Sequence, residues 1–450
     1  MRKSLALPKM LGLFLMPISV SILLISSIGE SDLVGPPLSI TMLLLANVLL
    51  LSEEASANVL FLAFQGTYFI FIVAGPLLDA FEGTDFFASY SSDVVVKTYI
   101  CYWLAAFAMW CYCLYRTNSR REFVFSKNNR REECDKAGKD YNYSRIRFCS
   151  KLIFYVAIVA YIAVTFDKII FRQVYSLQAY YANYDARSNL PGIVVKIADT
   201  HLIALALFLA TKPTKREAKA PIIVFVIASA LTLLYGVRNV IILNSLFLII
   251  YFVMRNNDNG EEVWLSKRTI KLGLLLSPIV VVFLQAFDAF RRSIAFNVFD
   301  IKEVFSFSLI KDFFVSQSVS SNILPNAITH YGQLGGQPVP YTFGTLYTYL
   351  TQNMITRLFT GAAAFNSNSV ESAMSSANLG SRLAYYMYRE SYLSGTGMGG
   401  NFVADLFVDF SFIGVFLGTL FVCMFAKKLT QITRGGVQLS LHSCFCISRN

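Results

Sequence analysis

Charged residues are scarce in this chain of 450 residues: Asp, Glu, Lys and Arg together make up 15%, against about 25% in an ordinary soluble domain. Apolar runs of 18 residues or more recur instead, and each is long enough to cross a bilayer core of about 30 Å as a helix. The residue alternation of an outer-membrane barrel is absent. The composition excludes a soluble protein and predicts an all-α, polytopic bundle of transmembrane helices.

Histidine is also rare, and several nucleotide-binding patterns are missing. His201, His330 and His442 form no pair at metal-ligand spacing, so we expect no metal site. His330 lies in a predicted outer-loop turn, where it is either a functional base or an ordinary polar loop residue. The absence of a P-loop and of a GxGxxG motif between strand and helix argues against a nucleotide cofactor. We expect no cofactor of any kind.

Positive charge is distributed unevenly between the two sets of loops. Residues 1–9, 52–56, 116–151, 212–219, 255–271 and 427–434 contain 25 Lys and Arg, whereas the four short loops of the other set contain four. Basic loops remain in the cytoplasm, so the first set and both termini are predicted to be cytoplasmic. The net charge of +11 therefore reflects topology and predicts no nucleic-acid partner. The ten predicted spans are about 8–29, 34–51, 57–78, 96–115, 150–166, 192–211, 220–235, 239–254, 271–290 and 401–426.

Two further absences bear on the outer side and on the beginning of the chain. The outer loops contain no cysteine, which excludes a disulfide framework there. No small-residue cleavage site follows the first apolar run, Leu11 to Ile28, so we expect a retained helix and not a signal peptide. The loop over 52–56 joins the second and third predicted spans and carries no basic residue. A re-entrant segment at Pro36 and Pro37 is therefore the alternative to a hairpin of these two spans.

One outer loop is long enough to fold by itself. The predicted organisation is a bundle over 1–290 with a basic cytoplasmic loop over 116–151, a large outer loop over 291–400, a last span over 401–426 and a cytoplasmic tail over 427–450. The outer loop contains 17 aromatic residues, too many for a disordered linker. We expect short helices on the outer surface of the bundle. The aromatic rings suit sugar faces and a membrane-interface belt equally well.

Arginine outnumbers lysine on the outer side, and arginine is preferred for multidentate recognition of phosphate. Arg238 is the most unusual, since it stands between two short spans and is predicted to be recessed in the membrane. A charge at that depth normally faces a partner or a water-filled cavity. Snorkelling at a helix end is the simpler alternative, especially for Arg291 and Arg292. The outer arginines are Arg172, Arg187, Arg238, Arg291, Arg292, Arg357, Arg382 and Arg389.

A glycine-rich stretch leads directly into the last predicted span. Gly397, Gly399 and Gly400 precede a helix whose N-terminus is predicted to face outward, where free N–H groups bind anions. A flexible entry loop is the alternative. Asp405 and Asp409 follow on one face of that helix, and carboxylates within a span usually have a function, as a base or as partners of arginine.

These features resemble the O-antigen polymerases, the membrane-embedded repeat-unit polymerases of the flippase/polymerase pathway. The resemblance rests on the number of spans, the large outer loop before a late span, GTGMGGNFVADLFVDFSFIG at 395–414 and YGVRNVIIL at 235–243. It covers roughly residues 170–426. Relatives often carry a glutamate where this chain has Asp405, and usually have one more span where residues 435–450 are too short for one.

The resemblance implies a metal-independent, inverting glycosyltransferase with a GT-C-like architecture in the bacterial inner membrane. Its substrates would be undecaprenyl-pyrophosphate-linked oligosaccharides, polymerised at the periplasmic face. Membrane lipids and a chain-length regulator protein are the other expected partners. The expected catalytic residues are Arg238, Arg187 and Asp405, and the expected pyrophosphate-binding residues are Arg382, Arg389, Arg291, Arg292, Gly397, Gly399 and Gly400.

Two alternatives use the same features. An O-antigen ligase shares the large outer loop and the lipid-linked substrates, but the stretch THYGQLGGQPV at 329–339 matches its histidine-led motif poorly. A lipid-oligosaccharide flippase or another transporter would show internal repeats and broken helices, and would lack a large one-sided loop.

Overall fold

The computed structural model is built of helices joined by turns. It describes residues 7–28, 32–137, 143–175, 189–237, 239–256, part of 263–276, and 307–435 except 353, 362–364, 366 and 367; these residues contain no strand. The α-helices are α1 (Leu7–Ile28), α2 (Gly35–Leu51), α3 (Val59–Tyr68), α4 (Ala74–Phe81), α5 (Ser92–Ala137), α6 (Tyr143–Val174), α7 (Gly192–Asp199), α8 (His201–Ala210), α9 (Lys215–Leu231), α10 (Asn239–Asn256), α11 (Phe307–Gln317), α12 (Ile323–Thr329), α13 (Gly344–Thr351), α14 (Met354–Thr360), α15 (Val370–Ser375), α16 (Leu379–Met387), α17 (Arg389–Leu393) and α18 (Phe402–Gly435).

The predicted polytopic helical architecture is confirmed. Within the described residues, eight helical stretches are long and apolar enough to cross a membrane, and the shorter α2 is also apolar. Each of these nine coincides with a span predicted from the sequence. The tenth predicted span, 271–290, lies almost entirely outside the described residues. The eight stretches are Leu7–Ser26, Val59–Phe81, Ser92–Thr117, Ser144–Val174, Gly192–Ala210, Lys215–Tyr235, Asn239–Asn256 and Phe402–Thr430.

The basic segment predicted as a cytoplasmic loop over 116–151 is largely helical. α5 continues as far as Ala137, and α6 begins at Tyr143. The segment is rich in Arg, Lys and Glu, which are good helix formers in water. α5 and α6 therefore continue from their apolar stretches into the basic segment.

The chain divides into two compact units, each of which combines distant parts of the sequence. The first unit consists of 1–53, 61–117 and 300–425, and the second of 54–60, 118–299 and 426–450.

In the first unit, small residues bring α1 and α2 close together. A Cβ added to Gly12 would lie 2.9 Å from the carbonyl oxygen of Ala46, so a larger residue at this position would push the helices apart. The buried Ser19 hydroxyl donates to the carbonyl of Ser39 at 2.8 Å, and the Ser39 hydroxyl donates to that of Ser19 at the same distance. Small residues and hydroxyl bonds are the usual contacts between helices in a membrane, where apolar burial does not drive association.

A π-helical turn between α3 and α4 holds part of the segment that was predicted to be the large outer loop. Residues 69–73 form the π-helix, which interrupts the regular backbone hydrogen bonding. Ser318 supplies the missing partners: its hydroxyl donates to the carbonyl of Ile70 at 2.9 Å and accepts from the N–H of Gly75 at 2.8 Å. The beginning of the layer of short helices over 307–393 is thereby fixed to the π-helical turn and α4.

In the second unit, α9 and α10 form the hairpin predicted around Gly236. Gly236 has φ +94°, a left-handed conformation that glycine adopts without strain, and it ends the 3₁₀ turn after α9. The amide of Asn244 donates to the Ser229 hydroxyl at 2.8 Å. These two residues lie about equally far from Gly236 along the chain, as expected when two helices pack side by side around a tight turn.

Candidate functional site

The last predicted span is interrupted near its beginning. α18 starts at Phe402, but Ser411 has φ 57° and ψ −157°, which are not helical values. A Cβ on Gly418 would lie 2.3 Å from the side chain of Leu406, although twelve residues of straight helix extend about 18 Å. The chain therefore bends sharply at Ser411, and the segment 402–410 is a separate short helix.

The beginning of this short helix is fixed by a buried asparagine. The Asn401 amide donates to the hydroxyl of Tyr102 and to the carbonyl of Ser320, both at 3.0 Å, and its oxygen accepts from the N–H of Val403 at 3.0 Å. Asn401 is only 5% exposed. A fully bonded buried amide is rigid, so the glycine stretch just before it has a fixed end point.

The glycine stretch touches α16. Gly397, Gly399 and Gly400 are exposed, and Gly399 has φ +79°. A Cβ added to Gly380 in α16 would lie 1.8 Å from the carbonyl oxygen of Gly399. Only glycine at 380 permits this approach, which brings the glycine stretch beside α16.

A cavity of about 280 Å³ opens at the beginning of α18. Its walls combine aromatic rings with a few polar groups, a surface that suits both an apolar chain and a sugar ring. The lining residues are Phe64, Thr67, Tyr68, Phe71, Ile72, Ser320, Gly400, Asn401 and Phe402.

Arg382, on α16, is a buried cation. It is 4% exposed, and no described carboxylate lies within ion-pair distance of it. Its Nη2 donates to the carbonyl of Gly335, and its guanidinium lies 6.0 Å from the ring centre of Tyr386. Nε and Nη1 have no hydrogen-bond partner among the described residues. A buried charge left in this way is costly, and such a group is normally matched by an anion.

The loop that contains Gly335 also contacts α18. The Asp409 carboxylate accepts from the N–H of Tyr341 at 3.0 Å, and from the N–H and the hydroxyl of Thr342 at 2.7 Å each. Burial raises the pKa of Tyr341 to about 12, although the nearby Arg382 charge acts in the opposite direction. The Tyr341 hydroxyl therefore stays protonated at neutral pH and donates to the carbonyl of Leu334 at 2.7 Å.

Two other predicted site residues have different surroundings. Arg389 is exposed, with its guanidinium 5.4 Å from the ring centre of Tyr385. Asp405 lies half-buried in the first turn of α18, where its N–H donates to the carbonyl of Asn401 at 3.1 Å.

The structure thus brings Arg382 and Gly399 to adjoining parts of the first unit. Four other predicted site residues, Arg187, Arg238, Arg291 and Arg292, lie outside the described residues. Sequence reasoning missed Asn401, Gly380 and the contacts of Asp409 with residues 341 and 342. The adjacent Gly335 and Gly336 indicate a turn, but no sequence pattern shows that Arg382 donates a hydrogen bond to the carbonyl of Gly335.

Replacing Gly380 with valine should reduce polymer synthesis strongly, because the new side chain would displace the Gly399 carbonyl. Gly192→Val is the matched control, since a Cβ there meets nothing within 4 Å. Glycan ladders on gels, with immunoblots of the membrane fraction, give the comparison. Equal ladders from both variants would show that the contact between α16 and the glycine stretch is dispensable.

Apolar helices that recur along the chain, together with a folded layer of short helices over 307–393, define a multi-pass membrane protein. The family model described as O-antigen polysaccharide polymerase Wzy matches residues 10–449. The chain belongs to this family and is a glycosyltransferase-type enzyme that polymerises O-antigen repeat units. The polymerase prediction is confirmed over the ligase and flippase alternatives. No curated protein and no solved structure shows significant similarity to the chain.

Proposed function

We propose that the enzyme polymerises repeat units carried on undecaprenyl pyrophosphate, and that Arg382 binds the pyrophosphate of the donor. The observation that carries this proposal is the buried guanidinium of Arg382, with Nε and Nη1 unpaired among the described residues. A guanidinium presents a planar set of donors that matches phosphate oxygens. A pyrophosphate would supply both the missing acceptors and the missing negative charge.

The reaction is a substitution at the anomeric carbon of the growing chain. A hydroxyl oxygen of the acceptor repeat unit attacks that carbon, and the bond from the carbon to the phosphate oxygen breaks. The electron pair leaves with the lipid pyrophosphate, and the configuration inverts. The negative charge that develops on the leaving group is stabilised by preorganised donors, of which Arg382 is one. Asp405 is the proposed acceptor of the hydroxyl proton.

The surroundings of α16 support this assignment. Gly399 approaches α16 at Gly380, and Gly400 lines the aromatic cavity at the beginning of α18. Glycine leaves backbone N–H groups accessible to a phosphate. We propose that the cavity binds the first part of the lipid chain or a sugar ring. The exposed guanidinium of Arg389 lies over the ring of Tyr385, and its proposed role is to contact the outer edge of the same substrate.

The proposed location is the inner membrane of a bacterium, with the glycine stretch and Arg382 on the periplasmic side. The uneven distribution of Lys and Arg between the two sets of loops supports this orientation. Labelling of single cysteines with a membrane-impermeant reagent tests it. Ser394→Cys, in a chain whose own eight cysteines are replaced, should react in intact spheroplasts. Protection until the cells are lysed would reverse the orientation.

Turnover by the purified enzyme in nanodiscs tests the proposed chemistry. The substrate is the lipid-pyrophosphate-linked repeat unit extracted from cells that lack the polymerase. We expect one free lipid pyrophosphate for each new linkage, and an inverted anomeric configuration by NMR. Release of lipid monophosphate, or retention of configuration, would contradict the proposal.

A further inference from the structure

We propose that Asp409 is a positioning residue, which holds Arg382 in place through the loop over residues 331–343 (the 331–343 loop). This inference rests on the proposed role of Arg382 in pyrophosphate binding. Asp409 and Arg382 are 27 positions apart in the sequence, and a continuous series of contacts within the first unit connects them.

The first contact is between the Asp409 carboxylate and the end of the 331–343 loop. Oδ1 accepts from the N–H of Tyr341 at 3.0 Å, and Oδ2 accepts from the N–H and the hydroxyl of Thr342 at 2.7 Å each. Hydrogen bonds to an ionised acceptor are the stronger kind. Both carboxylate oxygens are engaged by these donors, so Asp409 is suited to hold the loop and not to accept a proton from substrate.

The second contact fixes the beginning of the loop to the same part of α18. The helix bends at Ser411, and carbonyls just before such a bend need partners other than the next turn. The Tyr331 hydroxyl donates to the carbonyl of Val408 at 3.4 Å. The loop is therefore attached on both sides to the last residues of the short helix 402–410.

The third contact is inside the loop. The Tyr341 hydroxyl donates to the carbonyl of Leu334 at 2.7 Å, and both side chains are buried. This bond ties the part of the loop held by Asp409 to the residue directly before Gly335.

The last contact reaches Arg382. The carbonyl of Gly335 accepts from Nη2, which leaves Nε and Nη1 for a ligand. Gly336 has φ +82°, and a Cβ on it would lie 3.8 Å from Nη2. The turn at 335 and 336 therefore lies against the guanidinium, and its position decides where the remaining donors point.

A double-mutant cycle tests whether Asp409 acts through Arg382. The variants are Asp409→Asn, Arg382→Lys and the double variant, assayed as purified enzymes with the lipid-pyrophosphate-linked repeat unit. We expect Arg382→Lys to lower kcat/KM roughly 100-fold, the effect of losing one well-placed donor. Asp409→Asn should lower it roughly tenfold, and the double variant should be no worse than Arg382→Lys, because residues that act as a unit are not additive.

A matched pair of threonine variants gives a second test with little risk to folding. Thr342→Val removes one of the three hydrogen bonds to Asp409, whereas Thr348→Val makes the same change of side chain but removes a bond to the neutral backbone carbonyl of Ser376. We expect inhibition by inorganic pyrophosphate to weaken about fivefold in Thr342→Val, in line with the partial loss of a charge-assisted bond. Thr348→Val should behave as wild type.

The possible results separate the two proposals. Wild-type activity in Arg382→Lys and in Arg382→Ala would overturn the proposed function itself. Loss of activity in the Arg382 variants, combined with multiplying effects in the double variant, would overturn the role of Asp409 alone. Unchanged pyrophosphate inhibition in Thr342→Val would also overturn it. If Asp409→Asn lowers the thermal stability, the threonine pair decides the question.

Discussion

Cells that carry only Arg382→Ala should display glycans with a single repeat unit and no ladder. The substitution removes a buried guanidinium whose Nε and Nη1 are unpaired among the described residues. Loss of one preorganised donor to a developing oxyanion lowers turnover about 10²–10³-fold, too much for long polymers to form. Glycan gels and immunoblots of the membrane fraction measure the two quantities that matter, chain length and protein level.

Removal of a different cation provides the comparison for Arg382. Lys97 pairs with Asp93 one helical turn away at 2.7 Å, and the two side chains are 42% and 73% exposed, respectively. Exposed pairs of this kind contribute about 0–1 kcal/mol, so Lys97→Ala should give a normal ladder. A normal ladder from Arg382→Ala at wild-type protein level would contradict the assignment of Arg382.

Arg238→Ala should also leave single-repeat glycans with normal protein levels. Arg238 lies outside the described residues, but the residues on both sides of it form the tight turn of the α9–α10 hairpin. The turn joins two short apolar helices, and an arginine at such a place normally faces a partner or a water-filled cavity. We propose that its partner is a phosphate of the lipid-linked substrate.

The exposed Lys196 offers a control in the same unit. It pairs with Asp199 at 3.7 Å, and its side chain is 72% exposed. Lys196→Ala should leave the ladder unchanged. A full-length ladder in Arg238→Ala would show that this arginine only ends a helix at the membrane surface, as the snorkelling alternative holds.

Apolar run length was sufficient to predict most of the fold. Nine of the ten predicted spans coincide with apolar helices, because a membrane helix satisfies its own backbone and needs only a long apolar run. The interruption at Ser411 was not predictable in this way. It lies within an apolar run, and it becomes visible only in the tertiary structure, where Leu406 packs against Gly418.

In the candidate site, too, some features were predictable from the sequence and others were not. Arg382 and the glycine stretch were predicted from residue type and from the expected direction of the last helix. The burial of Arg382 and the exposure of Arg389 were not, because both arginines occur in the same short sequence and only tertiary packing distinguishes them. Gly380 illustrates the same limit of sequence reasoning. A glycine is required there because the carbonyl of Gly399 approaches closely, and no local sequence pattern identifies this contact.

Equilibrium binding of lipid pyrophosphate to the purified enzyme shows whether Arg382 binds the pyrophosphate. The wild-type protein and Arg382→Ala are compared in nanodiscs with fluorescently labelled undecaprenyl pyrophosphate, and Lys97→Ala serves as the control. If Arg382 holds the pyrophosphate, the Kd should rise at least about tenfold in Arg382→Ala, as for the loss of charge-assisted hydrogen bonds to a phosphate, and stay unchanged in Lys97→Ala. An equal Kd for wild type and Arg382→Ala would show that Arg382 does not bind the pyrophosphate.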